Sequence, residues 1–103
     1  MLSFTKKNES LIVSFEALTD DMTPIVSQFD SDCKHLIFDL MNIKNLDFNP
    51  LSKFTTFGKN LVGQNSFVLV SKQTVNEQFL IVPTIQEAFD IIELEDIERQ
   101  LNF

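Results

Sequence analysis

Residues 35–54 read HLIFDLMNIKNLDFNPLSKF. The opening HLIFDL (35–40) is apolar at four of its six positions and on both faces of an extended chain. That is the pattern of a strand covered on both sides. From Asp47 onward the pattern becomes helical. Asp47 is placed to accept from the free N–H groups of a first turn, a contribution of about 1 kcal/mol. Pro50 falls within that turn, where a missing N–H costs nothing. Leu51, Phe54, Thr55, Gly58, Leu61 and Val62 then recur at helical spacing and mark a buried stripe. A buried strand feeding a helix through a short turn is the repeating unit of an α/β sheet.

The rest of the chain extends this unit. FVLVSK (67–72) reads as a second buried strand, QTVNEQF (73–79) as a short helical turn and LIV (80–82) as the last strand. Thr84 and Glu87 form a capping box that opens a final helix. Connections of a dozen residues or more between the later strands call for parallel pairing. Toward the N-terminus, Leu2 and Phe4, then Leu11, Val13 and Phe15, alternate with polar residues around KKNE (6–9), where Asn8 tolerates positive φ. This predicts a hairpin with one face on the core. Thr23 is placed to cap a short helix over 24–30 with Pro24 at its first position, packing Ile25, Val26 and Phe29. The expected order is β-β-α-β-α-β-α-β-α: a mixed α/β sheet of about five strands with four helices, in one domain over residues 1–103.

Composition narrows the chemistry. The 103 residues include one cysteine and one histidine. No internal disulfide is possible, and the usual zinc sites cannot be built. Cys33 and His35 would share a face if both lay on one strand, but no oxyanion or orienting motif accompanies them. Cys33 reads as a small apolar filler and His35 as an imidazole at a strand edge. Asp39 and Asp47 are separated by a loop and lack the fixed proximity of an acid–base pair. The expectation is no enzyme, no cofactor and no metal.

The formal net charge is −7. Residues 1–72 carry 8 acidic and 7 basic groups, and residues 73–103 carry 7 acidic groups against Arg99 alone. Nucleic acid and anionic membrane surfaces are disfavoured by that sign, whereas a basic protein partner is permitted. MLSFTKKNES lacks the apolar core of a secretory signal, and no apolar run approaches the roughly 20 residues needed to span a bilayer. A cytoplasmic location is expected.

The segment IFDLMNIKNLDFNPLSKF (37–54) resembles the signature of the STAS family, the domain shared by sulfate transporters and anti-sigma factor antagonists. Asp39 and Leu40 match its strand end, Ile43 and Leu46 its apolar loop, Asp47 and Leu51 its turn into a helix, and Ala88 a recurrent alanine of the last helix. The family's two serines fall on Phe48 and Asn49 and its glycine on Pro50. Asn49 stands at the usual phosphoacceptor position and has no hydroxyl to modify. The resemblance implies a non-catalytic module that binds another protein, such as an anti-sigma factor-like protein or an ATPase subunit. The candidate contacts are Asp47, Phe48, Asn49 and Phe57. The ending VPTIQEAFDIIELEDIERQLNF (82–103) further resembles small acidic bacterial proteins encoded beside, and sometimes called, ribonuclease Z. That nuclease needs a histidine-rich metal motif, so the likeness implies an accessory link rather than the activity. Eleven phenylalanines leave a small apolar-ligand or lipid carrier as another alternative.

The final helix poses its own problem. Ile85, Ala88, Phe89 and Ile92 fall within about 100° of one another, and Leu94, Ile97 and Leu101 form a second stripe roughly opposite. One straight helix cannot bury both against one core. Either the chain bends near 92–94, or Leu94, Ile97 and Leu101, with Phe103, meet a partner or a second copy of the chain.

Overall fold

The computed structural model describes residues 2–17, 21–44, 48–73 and 80–101, without the side chains of Phe48 and Pro50. The elements run β1 (Leu2–Lys7), β2 (Ser10–Phe15), α1 (Thr23–Gln28), β3 (His35–Asp39), α2 (Phe48–Val62), β4 (Phe67–Val70), β5 (Ile81–Val82) and α3 (Ile85–Leu101). The five strands form one sheet in the order β1-β2-β3-β4-β5. Only β1 and β2 are antiparallel, and the other three pairings are parallel. The described residues form three helices rather than four. The expected fourth, over 73–79, falls almost wholly outside them.

The hairpin turns through Asn8 and Glu9, both at positive φ, as the twist of a two-residue connection requires. The Glu9 carbonyl accepts from the N–H groups of Lys34 and His35, so the turn also seats the start of β3. β2 is buried on both faces, where the hairpin was expected to have one face on the core, because β1 is the edge strand and β2 lies inside the sheet. With the two-sided runs of β3 and β4 it divides the core in two. On one face, Leu11, Val13 and Phe15 join Leu36, Phe38, Leu40, Phe67 and Leu69 under Ile25 of α1 and Leu51, Phe54 and Val62 of α2. On the other, Ile12, Ile37, Val68 and Val70 meet Ala88 and Ile92 of α3. The rings of Phe15, Phe38, Phe54 and Phe67 pack on one another with centroids 5.0–5.7 Å apart. These four rings help to fill the core on the face under α1 and α2.

The stripe expected on α2 is buried or half-buried along its length. The helix closes on Gly63 at φ +63, the left-handed position that favours glycine after a last turn. The Thr84 hydroxyl accepts from the Glu87 N–H at 3.1 Å, which is the hydroxyl half of the capping box. Two expectations for α1 are corrected. Thr23 lies inside the helix and makes no cap, because Met22 holds that position without a side-chain bond. The Thr23 N–H is taken by the Asp21 carboxylate instead. Val26 is 51% exposed, since a six-residue helix turns only Ile25 fully into the core.

Candidate functional site

The turn between β3 and α2 lies at the carboxyl end of the parallel strands, where ligands of open α/β sheets gather. The Asp39 carboxylate accepts from the Met41 N–H at 3.1 Å and from the Ser14 hydroxyl at 3.4 Å. It is occupied in turning the chain. Leu40 and Ile43 are buried, and the Leu40 N–H extends the ladder to the Val70 carbonyl at 2.8 Å. Gln73 donates its side-chain N–H to the Ile43 carbonyl at 2.6 Å, which ties the loop after β4 to the turn.

Beyond this support, Asn49 stands exposed in the first turn of α2, and Lys53 and Thr56 follow on the same exposed side. Phe57 is half-buried against the core, so its ring offers one flank to that surface. Asp47 and the side chain of Phe48 lie outside the described residues. The outer side of α2 is polar and cationic: the helix carries Lys53 and Lys59 and no acidic residue.

The remaining predicted contacts sit elsewhere. Helix α3 is continuous from Ile85 to Leu101, so the chain does not bend at 92–94. Leu94, Ile97 and Leu101 are 58%, 47% and 77% exposed, on the far side of the sheet from α2. The two sets of candidate residues therefore form two separate surfaces. Phe103 lies outside the described residues.

The sequence reading missed a cluster that explains how α3 is held. Beyond Ile92, the core-facing side of the helix carries Asp96 and Arg99, not apolar residues. His35 is no strand-edge imidazole; it is buried at 3% exposure. The Ser66 N–H donates to His35 Nδ1 at 3.0 Å, so the ring proton lies on Nε2, which faces Asp96 Oδ2 at 3.2 Å. The other Asp96 oxygen accepts from Arg99, which also donates to the Ser66 hydroxyl at 2.9 Å. The four residues close a ring at the amino ends of β3 and β4, with Ser66 contributing both its backbone N–H and its hydroxyl. Burial is the main cause that pushes the His35 pKa down; Arg99 adds to it and Asp96 opposes it. Burial would raise the Asp96 carboxyl, but Arg99 and His35 together hold it below the usual carboxylate value.

With both ring nitrogens engaged and Ser66 presenting its backbone N–H, this is an anchor, not a hydrolytic triad. The one signal in the sequence was that the inward stripe of α3 continues at helical spacing onto Asp96 and Arg99. Beside it opens a cleft of about 510 Å³ whose walls include Thr55, Lys59, Asn65, Leu80, Glu95 and Arg99. Cys33 is buried, and burial pushes its thiol pKa up. Among the described residues no group of His, Cys, Asp and Glu could hold a metal ion, and no helix is long and apolar enough to cross a membrane.

No family model and no curated protein matches the sequence. Among solved structures, an anti-sigma factor antagonist from Mycobacterium paratuberculosis superposes with a TM-score of 0.67 at 15% identity, covering 90% of this chain and 93% of that one. At that identity the likeness is one of fold. It makes the five-stranded mixed sheet a STAS-like α/β fold, as the residues around Asp39–Leu51 suggested.

Proposed function

We propose that this protein is a non-catalytic interaction module of STAS type, which binds another protein through the turn and helix over residues 47–57 and is not switched by phosphorylation there. The observation that carries this reading is the exposed Asn49 at the start of α2. In the family the 37–54 segment resembles, a phosphoacceptor serine holds that position. A phosphate there would gain from the free N–H groups of the helix start. An amide accepts no phosphoryl group, so the surface stays in one charge state. The fold likeness to an anti-sigma factor antagonist supports a protein as the ligand, of anti-sigma factor or ATPase-subunit kind. The carboxylate of Asp39 and both ring nitrogens of His35 are taken up by structural contacts.

A photo-crosslinking residue placed at Asn49 tests the reading, with one at Ser3 on the far edge of the sheet as control. A protein adduct formed in cells of the source organism at 49 but not at 3, and weakened by Phe57→Ala, supports it. If position 49 yields no protein adduct, or stoichiometric phosphate on Ser52 or Thr55 abolishes the adduct, the unswitched module is refuted.

A further inference from the structure

We propose that the outer face of α3 is a second docking surface, which takes a basic amphipathic helix from a partner protein. Of the six large apolar side chains exposed among the described residues, three lie on this one helix: Leu94, Ile97 and Leu101. They recur at i, i+3 and i+7, the spacing by which one helix reads another. The face cannot roll inward. Ala88 and Ile92 hold the opposite side of the helix in the core, and Asp96 and Arg99 are pinned to His35 and Ser66.

Charge selects the occupant. Glu87, Asp90, Glu93 and Glu98 are exposed beside the stripe, while Arg99, the helix's one basic residue, points inward to Asp96 and Ser66. A second copy docked through the same face would set these carboxylates against their own kind. A head-to-tail copy could bring Lys53 and Lys59 of α2, but α2 exposes no large apolar residue among its described side chains, so the stripe would stay uncovered. A helix carrying apolar residues at i, i+3 and i+7 between lysines or arginines satisfies both features, and electrostatic complementarity would steer its approach. Because α2 and α3 lie on opposite faces of the sheet, this surface and the one around Asn49 can be occupied together. The inference stands independently of the reading of α2.

The test is a titration of the 15N-labelled full chain with a synthetic helical peptide of about 14 residues, leucines at the helical spacing and lysines elsewhere. A scrambled peptide of the same composition and a glutamate-for-lysine peptide serve as controls. The proposal expects shifts on the outer face of residues 87–101 and binding at least about tenfold tighter than the scrambled peptide. It also expects at least about a tenfold loss in Leu94→Gln/Ile97→Gln, and weakening as salt rises from about 50 to 500 mM. An unchanged His35 ring signal shows that the variant keeps its fold. Equal binding of the scrambled peptide, shifts confined to α2, or indifference to the double substitution overturns the proposal. So does self-association of the wild-type chain at low salt that the double substitution abolishes, which would make the occupant a second copy.

Discussion

Replacing Asp96 by alanine tests the anchor most directly. His35 Nε2–H would lose its acceptor while the ring stays 3% exposed. A buried donor left unpaired costs about 1–3 kcal/mol. Asp96 itself is 41% exposed, so water can enter the vacated position, which favours the lower half of that range, about 1–2 kcal/mol. For a domain of this size each kcal/mol moves Tm by about 4–8 °C, and Asp96→Ala should therefore lower it by roughly 4–16 °C. Asp96→Asn keeps an acceptor oxygen and should lose about half as much. The pH dependence has a definite sign. The folded His35 pKa lies below its ordinary value, so the stability it contributes is complete above about pH 6.5 and is lost as pH falls through the folded value. Removing Asp96 takes away an attraction for the imidazolium, so the ring in Asp96→Ala should protonate at still lower pH. Thermal melts from pH 8 to 5 and the ring 15N shifts of the single histidine give both readouts without assignment. A wild-type ring already protonated at pH 7, a proton on Nδ1, or an unchanged Tm in Asp96→Ala would refute the anchor.

Gly58→Ala should destabilise, although alanine is favoured over glycine within a helix by about 1 kcal/mol. A Cβ at 58 would overlap the ring of Phe67, which is itself packed edge-on against Phe38. Overpacking costs about 1–3 kcal/mol, so chemical denaturation should show a net loss that Phe67→Leu partly reverses. Leu94→Gln/Ile97→Gln should shift stability by no more than about 0.5 kcal/mol, as exposed positions do. Truncation after Ile92 should lower Tm markedly, because it removes Asp96 and Arg99 from His35 and Ser66. Cys33, buried and with its thiol pKa raised, should react with a disulfide reagent at pH 8 only as fast as the chain opens; prompt stoichiometric labelling in the folded state would contradict its placement.

Much of the fold was legible because its signals are local. The two-sided runs at 35–40 and 67–70 mark central strands wherever they occur, since each face needs its own cover. Asn8 at a positive φ and the Thr84–Glu87 cap are chemistry within a few residues of chain. The α2 stripe follows from helical spacing alone. The first turn of α2 was legible too, in that no hydroxyl lies between Asp47 and Ser52 whatever the fold around them. Short-range competition was harder. At the start of α1, Asp21 takes the N–H of Thr23, and six residues proved too few to bury Val26.

Tertiary structure alone decided the fate of the charged residues. Asp96 and Arg99 read only as part of the acidic last third of the chain, and His35 as an edge residue, because nothing near them in the chain supplies a partner. The turn after β5, which lays α3 back across the sheet, brings them together, and the buried His35 ring has its second partner only once they meet. With its inward side held by that polar ring, α3 had no need to bend. Leu94, Ile97 and Leu101 were left facing outward because a straight helix has one inward side, and Asp96 and Arg99 had already taken it.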